Sequence, residues 1–240
     1  MAWSPLRVPR LGCLGMLLLA GASLGATSLR TAPTRIVLDA GLNATEVSVS
    51  NTSDVPLFAQ IRLYAWTQQD GHDQLLPTRE MAVSPPLIEI PPRQQQLVRV
   101  IRLGTTSTDH EGSYRIIIDQ LPRQEVQGPQ TVLRYSAPLF APPHAPGTHR
   151  LSASLQGQGS DWLLRIDNQG SRHARLADLE YRDASGKRLP IARQLAGYVL
   201  PGQFKTWPLP ARAEGYGEGG FTAKVNQDAH ERPLIMGVAR

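Results

Sequence analysis

The sequence predicts an all-β protein of two immunoglobulin-like β-sandwich domains, set at an angle with an interdomain cleft between them. Apolar and polar residues alternate with a period of two through many short runs, and almost no stretch has the period of a helix. Turn residues separate these runs. The length allows one large all-β unit or two domains, and a proline-rich segment around residue 143 favours two.

The first group of runs predicts a domain over residues 27–143. Its turns fall at segments rich in Asn, Asp, Gly, Ser and Pro, such as 51–54, 69–71 and 84–86. Six or seven strands over about 110 residues are typical of an immunoglobulin-like sandwich, here without its disulfide. The predicted strands are 35–39, 46–50, 57–67, 96–103, 114–121 and 132–140.

Proline density rises between Ala141 and Gly147. Proline cannot continue a hydrogen-bonded ladder and it stiffens the chain, so this segment is predicted to be an interdomain elbow. A second, smaller β-sandwich is predicted over residues 144–240, with hairpin turns at 167–170 and 183–186. Its predicted strands are 150–156, 162–168, 174–182, 203–208, 221–225 and 234–238.

Residues 1–26 have the pattern of a secretory signal peptide. Arg7 and Arg10 precede an apolar run, 11–20, that is too short to span a bilayer, and small residues follow it. Residues 20–22 and Ala26 both offer a cleavage site. The single cysteine, Cys13, lies in this leader, so we expect an exported protein with no stable membrane insertion and no disulfide.

The composition favours a binding protein over an enzyme or a nucleic-acid-binding protein. The formal net charge is +5, but the arginines are dispersed along the predicted strands, without a basic run. The six histidines lack metal-site spacing and are expected to be solvated loop residues. Nucleophile-elbow, phosphate-loop and dinucleotide motifs are missing from the sequence, so we expect no catalytic residue, no cofactor and no metal.

Residues 131–140 predict an unusual strand. Two largely apolar sets alternate along it, and Pro138 places it at the edge of a sheet, because proline cannot donate to a ladder. Most proteins avoid an exposed apolar edge. The strand is therefore either covered at a domain boundary or kept for pairing with a partner.

Several motifs in the first domain resemble those of the periplasmic pilus and fimbria assembly chaperones of the chaperone/usher pathway, the PapD-like superfamily. They are Thr-Arg-Ile-Val at 34–37, a strand ending in Asn51, Ser-Pro-Pro at 84–86, and Glu-Gly-Ser-Tyr-Arg at 111–115, with Leu-Pro at 121–122. The Tyr-Ser-Ala-Pro-Leu-Phe ending at 135–140 is closer to the archaic, spore-coat-type branch.

The resemblance implies a function in binding. Such chaperones lend an edge strand to pilus subunits that lack their own last strand, and deliver them to an outer-membrane usher. We expect Thr131, Leu133, Tyr135 and Ala137 to form the face that enters the subunit, with a register open to a shift of two residues. The alternative is that this face packs only inside its own domain. Self-association of the free form stays open.

The resemblance also implies two cations that bind the terminal carboxylate of the subunit. Arg35 matches the first by its place in Thr-Arg-Ile-Val, whereas the donor-strand lysine of better-known members aligns with Pro138. Arg134, Arg102 and Arg115 are candidates for the second cation, and Arg115 is preferred because its strand is expected to adjoin Arg35.

Arg99 and Glu111 resemble a family ion pair that fixes the two domains together, with Asp228 as the candidate acidic partner from the second domain. The alternative is an ordinary surface pair, worth roughly 0–1 kcal/mol.

Two other functions are weighed against the chaperone. A secreted structural or adhesive fibre subunit with two sandwiches is expected to carry an alternating donor extension, whereas only residues 27–33 precede the first predicted strand. A carbohydrate-active enzyme is expected to mark out a pair of carboxylates, and the acids here lie at ordinary turn and strand-end positions.

Overall fold

The computed structural model describes residues 28–105, 109–123, 127–158 and 161–237, and within them the regular structure is all β. The predicted signal peptide, 1–26, lies outside the described residues. Four sheets form: the first two use strands up to Ala141, and the other two use strands from Leu151 onward. The predicted fold of two β-sandwiches is confirmed.

Two sheets make up the first sandwich. One has the strand order β1-β3-β8-β6, and the other has the order β2-β10-β9-β4-β5, with β7 also paired to β4. The strands are β1 (Leu29–Ala32), β2 (Ile36–Val37), β3 (Ala44–Asn51), β4 (Leu57–Gln69), β5 (His72–Pro77), β6 (Met81–Ser84), β7 (Leu87–Ile90), β8 (Gln95–Arg102), β9 (Gly112–Gln120) and β10 (Arg134–Ala141).

The second sandwich packs a sheet of order β11-β12-β15 on a sheet of order β14-β13-β16-β17. Its strands are β11 (Leu151–Gln158), β12 (Asp161–Asn168), β13 (Ala174–Asp183), β14 (Arg188–Val199), β15 (Phe204–Pro208), β16 (Gly219–Val225) and β17 (Arg232–Pro233). The boundary predicted between residues 143 and 144 falls in the connection from β10 to β11.

Each sandwich encloses its own apolar core. The period of two sends alternate side chains inward, so Val98 and Val100 of β8 meet Ile116 and Ile118 of β9, all four fully buried. Burial of such side chains stabilises the fold by roughly 1.5–3 kcal/mol each. The second core has an aromatic centre at Tyr181, where the rings of Tyr216 and Phe221 pack 4.8 Å and 5.1 Å away.

Matching asparagines close one corner of each sandwich. Asn51 ends β3 and Asn168 ends β12, and both are almost fully buried. In each, Nδ2 donates 2.7 Å to the carbonyl four residues later, and Oδ1 accepts from the amide two residues later. The motif of a strand ending in Asn therefore marks a corner in which a side chain satisfies buried main-chain groups.

The two sandwiches share a small aromatic core. Trp66 of β4 and Phe140 of β10 pack against Tyr198 and Leu200, and all four side chains are buried. The Trp66 and Tyr198 rings meet edge-on with their centroids 5.5 Å apart. This contact joins the outer face of the second sheet to the second domain.

Gln68 connects the same two surfaces by hydrogen bonds. Its side chain is buried, donates 2.7 Å to the carbonyl of Tyr198 and accepts 3.0 Å from the amide of Leu200. An ion pair between Lys205 and Asp73, 3.1 Å long, lies nearby. Gln68 thus satisfies two buried main-chain groups of the other domain.

Several elements differ from the sequence prediction. β14, twelve residues long, was not predicted because Pro190, Gly197 and a positive φ of 57° at Gln194 break its alternation, and its register with β13 shifts three times. The predicted strand 234–238 is wrong over its described residues, which hold only an isolated bridge from Met236 to Ala153.

The predicted hairpin at 167–170 is also wrong. This turn leads from one sheet to the other, since β12 pairs with β11 and β15 rather than with β13. The hairpin at 183–186 is confirmed, because β13 and β14 are paired, with Gly186 at a positive φ of 85° in the turn.

Candidate functional site

In the first sandwich, the sheet of order β2-β10-β9-β4-β5 has an edge that is open over most of β10. On one side, β10 pairs with β9 along its whole length, from Arg134 to Ala141. On the other side, β2 pairs only with Leu139 and Phe140. Residues 134–138 therefore have a strand neighbour on one side among the described residues, and their other side is open to an added strand.

The hydrogen bonds at the two ends of β10 fix which main-chain groups face outward. The Leu133 carbonyl accepts 2.8 Å from the Gln120 amide of β9, whereas the Phe140 carbonyl accepts 2.9 Å from Leu38, just after β2. Because these directions alternate along a strand, Arg134, Ser136 and Pro138 present their main-chain groups to the open side. Pro138 therefore costs the sheet no hydrogen bond.

The four predicted donor side chains lie in different surroundings. Thr131 is exposed and precedes β10, and Leu133 and Tyr135 are half-buried against the first core. Ala137 is only 1% exposed and is part of that core. The expectation that Ala137 belongs to an insertable face does not match this burial, because its methyl group already fills its own domain.

Arg35 and Arg115 lie on either side of Pro138. Arg115 of β9 is the direct register partner of Pro138, and Arg35 directly precedes Ile36, the partner of Leu139. Two strand spacings place the Arg35 and Arg115 backbones roughly 10 Å apart. We call the face that carries Trp66, Arg115, Pro138 and Phe140 the interdomain face, because Trp66 and Phe140 contact Tyr198.

The Arg115 guanidinium lies 3.9 Å over the ring of Trp66. Burial lowers the pKa of Arg115, while the charges of Asp73 and Tyr198 act in the opposite direction. Neither Arg35 nor Arg115 forms an ion pair within the described part of the chain. Both cations are thus in a position to bind an anion supplied from outside.

Arg134 is held differently. Its guanidinium and that of Arg62 both bind the Asp119 carboxylate, whose side chain is 14% exposed. Burial alone would raise the pKa of Asp119, but the hydrogen bonds from Arg134 and Arg62 outweigh burial and keep the pKa below its usual value. The charge of Arg134 is therefore already compensated inside the chain.

Arg102, the remaining candidate, lies on the other sheet of the sandwich. It is 9% exposed, pairs with Met81 in the ladder and donates 3.4 Å to the carbonyl of Leu38. Its strand, β8, does not reach the interdomain face.

The structure does not bring Arg99, Glu111 and Asp228 together. Arg99 alternates with buried Val98 and Val100, so it points to the outer surface, where its partner is Glu46 at 3.6 Å. Asp228 pairs with Arg232 at 2.8 Å. The predicted triad is replaced by separate local pairs.

Glu111 nevertheless bridges the domains, with a partner that the sequence did not indicate. Its carboxylate accepts 3.1 Å from the amide of His173 and lies 2.5 Å from the ring Nδ1. The His173 ring stacks on Phe140 with their centroids 3.5 Å apart. His173 is 8% exposed, so the prediction of a solvated loop histidine is wrong at this position.

Among the residues that the structure describes, no three acid, histidine or cysteine side chains are placed to hold a metal ion together. Those same residues contain no helix of the length and hydropathy that would cross a bilayer.

Comparison with solved structures identifies the fold. A chain of the CsuC–CsuE chaperone–tip adhesion subunit pre-assembly complex, from the archaic chaperone-usher Csu pili of Acinetobacter baumannii, is 23% identical with a TM-score of 0.70, over 88% of this chain and 99% of that one. A chain of the Salmonella enterica SafA pilin complex with the SafB chaperone is 22% identical with a TM-score of 0.64, over 88% and 97%. The E. coli chaperone DraB is 20% identical with a TM-score of 0.60, over 87% and 98%.

No curated protein sequence matches the chain. A family model does: residues 28–146 match the N-terminal domain of PapD, described as a pili and flagellar-assembly chaperone. The match contains both sheets of the first sandwich, the open edge of β10 and the arginines beside Pro138. Through residues 28–146, the chain belongs to the PapD family of pili and flagellar-assembly chaperones.

Proposed function

We propose that this protein is a periplasmic chaperone of the archaic branch, which binds pilus or fimbrial subunits by donor-strand complementation and delivers them to an outer-membrane usher. The observation that carries the proposal is the open edge at residues 134–138, which ends between Arg35 and Arg115, two arginines without an ion pair among the described residues. The CsuC–CsuE and SafA–SafB complexes in the comparison structures support a pilus subunit as the client.

The open edge supplies main-chain pairing to a subunit that lacks a strand. The outward groups of Arg134 and Ser136 donate and accept, whereas Pro138 accepts only. Leu133 and Tyr135 are half-buried, so each has apolar surface left to cover the unfinished core of the subunit. Thr131 extends this row beyond the strand. The alignment of these side chains with the subunit is part of the proposal.

A terminal carboxylate of the subunit completes the site at Pro138. β2 takes over the pairing at Leu139, so an added strand has to stop there. The end of the added strand then lies next to Arg35, and Arg115 lies on the far side of Pro138, across β10. A carboxylate buried at this end requires charge-assisted hydrogen bonds, because an unpaired ion between two domains is costly.

The reaction in this proposal is reversible binding, without turnover. The client leaves when the usher, or a subunit strand that fits better, replaces β10. The leader at residues 1–26 would bring the chain to the periplasm, where free chaperone has the same open edge available for self-association. A fibre subunit is not favoured, because β10 already completes the second sheet over a closed core.

Recovery of chaperone–subunit complexes from the periplasm tests the proposal. Tagged chaperone is co-expressed with the secreted proteins encoded beside it, and Leu133→Asp and Tyr135→Asp are compared with wild type. We expect both variants to fold and to lose most of the complex, since a charge on this row opposes burial in a subunit. Leu97→Asp is the matched control, because Leu97 is 52% exposed on the outer face of the other sheet. Equal recovery from all four proteins would remove the β10 edge from the function.

A further inference from the structure

Arg115 is held by a ring face rather than by an acid. Its guanidinium lies 3.9 Å over Trp66, and its charge has no ion-pair partner among the described residues. A contact with a ring face uses the π surface of the guanidinium and leaves its in-plane N–H donors unoccupied. An ion pair with Asp or Glu would occupy those donors instead.

Other arginines of the chain show the contrast. Arg165 also lies over a ring, 3.5 Å from the centroid of Phe204, but its donors bind Asp167 at 2.6–3.1 Å. Arg62 lies on the same strand as Trp66, and its donor binds Asp119. Arg115 therefore combines a fixed position with unoccupied donors, which suits a ligand that brings its own carboxylate.

Packing, including packing from the second domain, fixes the Trp66 ring. The side chain is 3% exposed, and its Nε1 is buried without a hydrogen-bond partner in the described structure. The ring centroid of Trp66 lies 6.0 Å from that of Phe140 and 5.5 Å from that of Tyr198, which it meets edge-on. Tyr198 belongs to β14, so the second sandwich supports the ring on which Arg115 lies.

We infer that Trp66, supported by Tyr198, is a positioning residue that presents the free N–H donors of Arg115 to the terminal carboxylate of the client. This inference rests on the proposed function. It gives the contact between the two sandwiches a role in recognition, because loss of the ring would remove the surface that fixes the position of the Arg115 guanidinium.

A pair of synthetic peptides separates this role from a structural one. Both alternate valine and threonine over the length of a strand; one ends in a free carboxylate and the other in an amide. Calorimetry on the full mature chaperone gives the ratio of their affinities, the acid preference. We expect wild type to prefer the acid by about tenfold or more, as a charge-assisted pair would provide. Arg115→Ala should lower the ratio severalfold, to the part of the preference that Arg35 retains.

Trp66→Leu should lower the acid preference by a factor similar to that of Arg115→Ala, whereas Trp66→Phe should keep most of it. Phe204→Leu, which removes the ring under Arg165, should leave it unchanged. Thermal unfolding checks that each variant is folded, and if Trp66→Leu does not fold, Tyr198→Leu replaces it with the same expected loss. In the Arg115→Ala background, Trp66→Leu should change the ratio no further.

Failure of carboxylate recognition and failure of the role of Trp66 would give different results. If wild type binds acid and amide equally, carboxylate recognition fails and the inference fails with it. If wild type prefers the acid and Arg115→Ala lowers the preference while Trp66→Leu keeps it, the proposed function stands and the role of Trp66 is overturned.

Discussion

Arg115 of β9 and Pro138 of β10 are direct register partners, so the cation lies one strand inside the open edge. Partners in an antiparallel ladder point to the same face of the sheet. A lysine at 138 would therefore lie beside the place that Arg115 occupies.

Pro138→Lys is expected to restore client binding in an Arg115→Ala variant. The main-chain groups of residue 138 point outward, so the new N–H disturbs no existing hydrogen bond, and the ammonium group replaces the lost cation. In the wild-type background the same change should gain little, because Arg115 already supplies the positive charge there. Co-purification of a subunit measures both effects.

Pro138→Ala in the Arg115→Ala background is the control, since it frees the N–H without adding charge. A rescue by alanine equal to that by lysine would contradict the electrostatic explanation.

Arg35→Ala is expected to weaken capture of a subunit by about tenfold or more, the loss typical of a hydrogen bond to a charged group. The chaperone itself should keep its stability, because Arg35 has no ion pair in the described structure that the substitution would break. Arg99→Ala is the matched control, because Arg99 pairs with Glu46 on the outer surface. Similar affinity losses in the two variants, measured by titration with a purified subunit, would exclude a specific role for Arg35.

The sequence predicted what local pattern determines. Alternation and turn residues predicted β3, β8, β9 and most of β10. The strand of Arg115 was expected to adjoin Arg35, but β10 lies between β9 and β2. The burial of Ala137 depends on which part of the fold packs over it, and the alternation along residues 131–140 does not identify that neighbour.

Contacts between the domains could not be predicted for the same reason. Trp66 and Tyr198 are 132 residues apart, and the strand that carries Tyr198 is irregular. Glu111 was expected at the interface, but its partner there is His173, whose ring also stacks on Phe140 and packs near Tyr198. The residues around His173 are typical of a turn, and their composition does not tell whether that turn is exposed or buried.

Gln68→Leu is expected to destabilise the protein by about 1–3 kcal/mol, the cost of leaving buried polar groups unpaired. The amide of Leu200 and the carbonyl of Tyr198 would lose their partner at 3.0 Å and 2.7 Å. Urea unfolding measures the effect. Gln96→Leu serves as control, since the Gln96 side chain is exposed and donates to the carbonyl of its neighbour Leu97. Equal midpoints for the two variants would show that Gln68 is not needed at the interface.

Asp119→Asn is expected to make the free energy of unfolding depend less on pH in the acid range. The pKa of Asp119 is lower in the folded chain than its usual value of 3.8, because the hydrogen bonds from Arg134 and Arg62 outweigh the opposing effect of burial. The stabilisation is therefore complete above that usual value and is lost as the pH falls through the folded pKa. The asparagine variant should be less stable at pH 7 and should lose less stability between about pH 5 and pH 2.

Asp54→Asn is the control: Asp54 also has a lowered pKa from its hydrogen bond with Arg93, but the pair is exposed and should contribute little. If urea unfolding at several pH values gave Asp119→Asn the same acid slope as wild type, the two arginines would not stabilise the folded state through this carboxylate.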